Sequence, residues 1–368
     1  FRLGRARFIC QTASPISPEQ FFGAERYNMS TAGLHAGKSY PGQLVRGLRG
    51  STAVNAIFVN TPLHNYDLRP KRHDFTLPVL GLGYIATVAA HNDLNVGVLD
   101  GEAHGLSLSA IASEINRRAP EWVGFNLLAP TYTHTIATLQ LLDPGIKVML
   151  DGHHAKALPE AILGDSMLPR IDALILGEAE YRVAALLRRS SRPDELPHVF
   201  WRDGEYVGSG PTTHASPQYL SPDINEMPFV DRSFFAQDPY PDGHHLEAAI
   251  VGSRGCPFDC SFCGAAVSAN RDIAIRTRTP KNLLAELFSL KERHGITAAR
   301  FVDDLFLANV KVMSECASAF ISESVDLLWD STGRINVLAN AQLSTLDLLK
   351  GRGAGKSRLA LRPAVIAF

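Results

Sequence analysis

From Val54 onward, apolar positions along the chain alternate between two periods. Residues 56–60, 95–100, 122–126, 147–152 and 173–177 are short apolar runs, each expected to be a buried strand. Between them, residues 77–90, 106–118, 133–142, 159–163 and 180–189 carry helical spacing. In the second of these, Leu108, Ile111, Ala112 and Ile115 make one apolar face. Strand and helix alternate about five times, which predicts a doubly wound parallel α/β domain over residues 51–190. Such sheets bind ligands at the carboxyl ends of their strands. Those ends carry Asn60, Asp100, Asn126, Asp151-Gly152-His153-His154 and Gly177-Glu178.

The alternation stops at residues 191–245, a proline-rich stretch expected to be a linker with one small hairpin turning at Asp203-Gly204. It resumes with a strand at 247–252 and a helix at 279–294. Thr279 can cap that helix, Pro280 suits its first turn, and Leu283, Leu284, Leu287 and Leu290 form a stripe. Strands at 298–302 and 327–334 and helices at 310–322 and 343–349 follow. The pattern predicts a partial (β/α) barrel over 246–350, with its chemistry at the strand ends. Residues 1–50 read as an irregular lead-in, and residues 351–368 as an aberrant Arg/Ala/Gly-rich tail.

Composition changes this picture little. The 368 residues suit about two domains. A formal net charge of -1 argues against a nucleic-acid or membrane-surface binder. No apolar run nears the ~20 residues of a membrane helix, and no secretory leader is evident. Few cysteines and no disulfide scaffold point to a reducing, cytoplasmic setting. Residue 1 is Phe, so the start is expected to lie upstream. Gly81-Leu82-Gly83 lacks the third glycine of a dinucleotide loop, so NAD is discounted.

Chemistry concentrates in residues 250–264. Three of five cysteines, Cys256, Cys260 and Cys263, fall within eight residues. Soft thiolates at such spacing suit zinc or an iron–sulfur cluster. Structural zinc usually takes four closed ligands, and no second Cys/His pair stands at finger spacing. A cluster on three cysteines leaves one iron for a substrate or cofactor. Cys10 reads as an incidental thiol and Cys316 as a core residue.

These residues, with Phe262 before the last cysteine, resemble the signature of the radical S-adenosylmethionine enzymes. The resemblance implies that Cys256, Cys260 and Cys263 hold a [4Fe–4S] cluster, whose fourth iron binds the amino and carboxylate groups of S-adenosylmethionine. Asp303-Asp304 resembles an F-x-D-D-x-F pattern of that family. Phe262, Asp303, Asp304 and Arg334 are then candidates to bind S-adenosylmethionine. The Asp pair is equally readable as a strand-end turn capping the next helix, and Arg334 as a surface ion pair.

The upstream α/β region resembles the Rossmann-like cobalamin-binding domain that precedes many radical modules, through 80–86, 98–100, Asp151-Gly-His-His-Ala and Leu176-Gly-Glu-Ala-Glu. By that resemblance Leu82, Gly83, Tyr84, Asn126, Thr131 and Tyr132 are candidate cobalamin contacts. Gly152, His153, His154, Gly177 and Glu178 complete the set. Asp151 stands where the family has a first glycine. Lys156 replaces the last glycine of the mutase motif, so no cobalt ligand is assigned. A plain flavodoxin-like domain with an incidental histidine pair is the alternative. Pro228-Phe-Val-Asp231-Arg232 resembles a connector of the family, or is simply linker.

The resemblance implies an enzyme that methylates an unactivated carbon, or another centre, of a small molecule through a 5′-deoxyadenosyl radical and methylcobalamin. An external one-electron reductant of the flavodoxin or ferredoxin type would supply the electron. An anaerobic oxidative cyclase is the alternative, and a cluster- or cobalamin-binding remnant the non-enzymatic one. Only three β/α units precede the tail, which reads as a truncated or shifted frame and puts the activity of this chain in question.

Overall fold

A computed structural model describes residues 44–50, 52–72, 76–168, 170–189, 192–212, 222–242, 244–266, 275–303, 305–307, 310–332 and 361–362. All lie in one compact unit, Pro41–Phe368. Cys10, Asp304, Arg334, the helix expected at 343–349 and most of the tail fall outside the described residues.

The first sheet runs through β1 (Val45–Arg46), β2 (Ala56–Asn60), β3 (Val96–Asp100), β4 (Trp122–Asn126), β5 (Lys147–Asp151), β6 (Ile171–Ile175), β7 (Val199–Asp203) and β8 (Tyr206–Ser209). Their spatial order is β1-β3-β2-β4-β5-β6-β7-β8. The five central strands, β3 to β6, are parallel. Connections between parallel strands need crossovers, and helices supply them. These are α1 (Leu80–His91), α2 (Gly101–His104), α3 (Leu108–Arg118), α4 (Tyr132–Leu139), α5 (His153–Ala157), α6 (Pro159–Leu163) and α7 (Glu180–Leu187). Side chains alternate across each strand, so Ile57, Val59, Val123, Phe125 and Leu150 pack under α3 and α4. Ala56, Phe58, Val98 and Met149 face α1 and α7 on the other side. Both β2 and β3 are buried throughout, which is why they read as unbroken apolar runs.

Two stretches expected to stand apart join this sheet. The hairpin assigned to the linker pairs antiparallel with β6. Val45–Arg46, within the expected lead-in, pairs antiparallel with β3. Strand β6 begins and ends two residues earlier than its apolar run suggested, because Gly177 takes a positive φ of 88° and turns the chain.

The second sheet contains β9 (Tyr240–Asp242), β10 (His245–Ile250), β13 (Ala298–Phe301), β14 (Leu328–Asp330) and β15 (Leu361–Arg362), ordered β15-β14-β13-β10-β9. From β10 to β15 the strands are parallel. The tail therefore supplies a short fourth parallel strand that the sequence pattern did not predict. Helices α8 (Pro280–His294) and α9 (Val310–Ser322) cover this sheet, over a core of Phe301, Phe306, Phe320 and Trp329. Phe301 stacks on Phe306 at 4.1 Å between ring centroids. A ribbon of β11 (Ser253–Arg254) and β12 (Arg276–Thr277) follows β10. Among the described residues no helix is long and apolar enough to cross a membrane.

The connector is not passive. Arg232, 5% exposed, donates to Asp238, to Glu286 of α8 (3.0 Å) and to the Ala249 carbonyl of β10 (2.6 Å). Arg278 donates to the other oxygen of Glu286 and to the Val251 carbonyl (2.9 Å). On the opposite side, the Asp231 N–H donates to Thr87 of α1 (3.0 Å). Met227, Val230 and Phe235 pack on Leu80 and Tyr84. The connector thus bolts α1 to the second sheet. Replacing Arg232 by Met leaves Asp238 buried without a cation and Glu286 with Arg278 alone, and breaking such a buried set is expected to cost roughly 3 kcal/mol or more. Urea denaturation of the variant against the parent checks this.

Candidate functional site between the two sheets

The carboxyl ends of β4, β5 and β6 open on a cavity of about 400 Å3. Asn126, Asp151, Gly152, His153, Gly177 and Glu178 line one side, and Gly81, Leu82, Tyr84 and Ile85 of α1 line a second. The far wall comes from the strand ends of the second sheet: Val251, Ser253, Arg254, Val302 and Asp303. Gly255 and Ala265, which flank the three cysteines in sequence, reach the same cavity.

Gly152 turns β5 into α5 at φ 108°. A Cβ there would lie 2.4 Å from the Asn126 Oδ1 and 2.6 Å from the Leu127 carbonyl, so the backbone has to pass bare along the rim. Gly81 is different. A Cβ there meets nothing within 4 Å, so that face of α1 leaves the cavity open.

Three carboxyls lining the cavity, Asp303, Asp151 and Glu178, are pushed above the ordinary carboxylate range, each chiefly by burial. Burial pushes Asp303 up to about 7, against hydrogen bonds that favour its charge. It accepts from the Gly252 N–H (2.8 and 3.0 Å) and from the Ser253 Oγ (3.2 Å). Asp303 thereby fixes the exit of β10 toward the cysteines. Burial likewise pushes Asp151 up to about 7, opposed by the Gly152 N–H.

The remaining candidates separate. Leu82, Tyr84, Asn126, Gly152, His153, Gly177, Glu178 and Asp303 converge on the cavity. Gly83 faces the connector, where a Cβ would lie 2.3 Å from the Phe235 ring. Thr131 is buried and donates to the Leu128 carbonyl (3.3 Å). Tyr132 donates to Asp165 (2.7 Å) and lies 4.9 Å from the His154 ring, so those two side chains pack on each other. None of these four lines the cavity. Phe262 is 70% exposed.

Cys256 and Cys260 are partly buried and Cys263 is exposed. The Cys263 N–H donates to the Cys260 carbonyl (3.0 Å), closing a turn. Among the described residues no three His, Cys, Asp or Glu side chains gather tightly enough to hold one metal ion. A cluster has a different requirement, since its own sulfides set the thiolates farther apart than a single ion does. Three soft thiolates on one loop suit its chemistry.

Sequence reading missed Arg254, Glu180, Lys156, Val251 and Val302 as cavity residues. Arg254 sits between Glu178 (3.2 Å) and Glu180 (2.7 Å), with its guanidinium 4.9 Å from the Tyr84 ring. The only signal was the repeated acid in Gly-Glu-Ala-Glu and the Arg two residues before Cys256.

A family model for the B12 binding domain matches residues 73–187. The chain carries a B12-binding domain. Its homologues include an uncharacterized methyltransferase of Pyrococcus horikoshii, 27% identical over 71% of this chain and 56% of that protein. They include the cytidylyl-2-hydroxyethylphosphonate methyltransferase of Streptomyces wedmorensis, 26% identical over 80% and 63%. The anaerobic magnesium-protoporphyrin IX monomethyl ester cyclase of Synechocystis is 26% identical over 77% and 56%. The chain spans 56%, 63% and 56% of the lengths of these three relatives. In fold it is similar to the radical S-adenosylmethionine methyltransferase TsrM of Kitasatospora setae. With tryptophan and an S-adenosylmethionine analogue bound, TsrM superposes at TM-score 0.57, 14% identity, 81% of this chain and 57% of that one. Solved with cobalamin and a [4Fe-4S] cluster, it superposes at 0.55, 15%, 82% and 57%. The B12-binding domain contains the β4, β5 and β6 rim and α1, and so most of the cavity lining.

The raised pKa of Asp303 has a sign that can be checked. The folded carboxyl holds its proton to about 7, against 3.8 for the free side chain. Its stabilising contribution is therefore complete below 3.8 and is lost as pH rises through 7. Relative to the parent, Asp303→Asn is expected to gain about 2–3 kcal/mol between pH 5 and 8. Urea midpoints of the two proteins across that range measure it.

Proposed function

We propose that this chain is the cobalamin- and cluster-binding part of a radical S-adenosylmethionine enzyme that methylates a small molecule. The observation that carries the reading is the shared cavity. The rim of a B12-binding domain and the strand ends leading into the cysteine loop face one space. The residues 73–187 matched by the family model and the module from β10 onward are its two working parts.

The cavity suits a flat, amide-edged corrin. Leu82, Ile85 and Val79 offer an apolar floor, and Asn126, His153 and Lys156 offer polar groups at the edge. The bare backbone at Gly152 and the open face at Gly81 leave room for a ring edge. Cys256, Cys260 and Cys263 would hold the cluster. When bound, a [4Fe–4S] cluster with S-adenosylmethionine supplies one-electron bond cleavage, and cobalamin supplies a transferable methyl group. In this proposal Asp303 holds the Gly252 N–H and Ser253 hydroxyl, and so fixes where the cysteine loop begins. Val251 and Val302 would add apolar surface to the wall on the side of the second sheet. Asp304, Arg334 and Phe262 remain candidates to orient S-adenosylmethionine. The small-molecule substrate and an external one-electron reductant belong to the same proposal. The cyclase among the relatives favours ring closure as the second reading.

Anaerobic reconstitution tests it. The chain is expected to take up iron, sulfide and cobalamin, and to cleave S-adenosylmethionine when reduced. Cleavage without a methylated product would favour the cyclase reading. A colourless protein carrying zinc alone would end both. Cys260→Ala is expected to reduce iron to background in metal analysis while leaving cobalamin binding intact. Gly81→Phe is expected to fold, because the position has space and Gly is a poor helix former. It should weaken cobalamin binding by about tenfold or more, read by equilibrium titration.

A further inference from the structure

The three cysteines lie in sequence between Arg254 and Arg276. Those two arginines stand directly opposite each other in the antiparallel ribbon β11–β12. Like charges at such a pair are destabilising, and the ribbon is only two residues long on each side. A carboxylate from the B12-binding domain resolves the conflict. Arg254 Nη1 lies 3.2 Å from Glu178 Oε2, and Arg276 donates to Glu178 Oε1. Arg254 Nη2 also lies 2.7 Å from Glu180 Oε1. The side chains of Arg254, Arg276, Glu178 and Glu180 are 14%, 13%, 10% and 5% exposed, so water screens the pairs little. Glu178 and Glu180 lie at the end of β6 and the start of α7, and both arginines lie in the other half of the molecule.

We propose that Glu178, backed by Glu180, is a positioning residue that clamps both stems of the cysteine loop to the B12-binding domain. Its two oxygens face the two arginines, one from each stem: Oε1 accepts a hydrogen bond from Arg276, and Oε2 makes an ion pair with Arg254. Glu178 thus ties the loop from the wall of the cavity. The order of the cluster loop then depends on a carboxylate of the neighbouring domain. This deepens the function proposed above and rests on the cysteine loop being the cluster loop.

Hydrogen–deuterium exchange on the metal-free chain tests the clamp without needing a cluster. Glu178→Gln is expected to speed exchange of the amides at 252–266 and 275–278 by about tenfold, with β2, β4 and α8 unchanged. Arg276→Gln removes the tie of its own stem only, and with it the like-charge pair, so it should speed exchange at 275–278 by less than Glu178→Gln does. The double variant should add little to Glu178→Gln. Arg276→Lys keeps the charge and should retain most of the protection. Cobalamin affinity should stay within about threefold of the parent in the Arg276 variants, because Arg276 does not line the cavity. Unchanged exchange at the ribbon in Glu178→Gln would overturn the proposal, as would a loss of cobalamin affinity with the ribbon still protected. If Glu178→Gln unfolds, seen as exchange throughout β2 and β4, the Arg276 pair of variants decides from the other half. A parent chain that takes up no iron would sink the cluster reading alone, since the exchange result stands without metal.

Discussion

The guanidinium of Arg232 sits where the connector, β10 and α8 meet, and it donates to Asp238, the Ala249 carbonyl and Glu286. Arg278 shares Glu286 from the other side. Charges this buried are tolerated when paired, and the partners come from separate stretches of chain. Hydrophobic contact alone would let the two sheets slide, because apolar packing has no preferred direction. The guanidinium groups have fixed planar donors, so they admit few arrangements. Such a set contributes little net stability but fixes geometry. That geometry sets the distance between the two rims.

The consequence is a single cavity with walls of different origin. Parallel strands all end at one edge, and each sheet turns that edge toward the other. On one rim the Gly152 backbone runs too close to Asn126 and Leu127 for any side chain. On the other, Asp303 holds the backbone between β10 and the cysteines. Arg254 bridges the two rims, lying against Tyr84 of α1 and paired with Glu178 and Glu180. The three thiols and the B12-binding rim are thereby joined through side chains rather than through sequence proximity.

Much of the fold was legible in advance. Central strands of a doubly wound sheet are buried on both faces, so AIFVN and WVGFN announce themselves as runs. Helix α8 was legible from Thr279 and Pro280, because its cap and first turn are local. The hairpin β7–β8 was visible as a hairpin, but its pairing with β6 was not, since an edge strand chooses its neighbour through tertiary contact. Arg232 looked like a linker residue because its partners lie 6 and 54 positions away. Tyr132 and His154 were candidate ligand contacts from local motif alone, and the fold packs their rings 4.9 Å apart, which no local pattern shows.

The amino-acid sequence by itself determined the alternation of strand and helix, the thiol spacing at Cys256, Cys260 and Cys263, and the glycine at the turn after β5. All of these are properties of neighbouring residues, set by backbone sterics and side-chain period. Tertiary structure alone decided that Glu178 would meet Arg254 and Arg276, that Gly81 would face open space while Gly83 met Phe235, and that Asp303 would be buried enough to hold a proton. The physical reason is that burial and ion pairing depend on which distant segments arrive at a point, and no local pattern encodes that arrival.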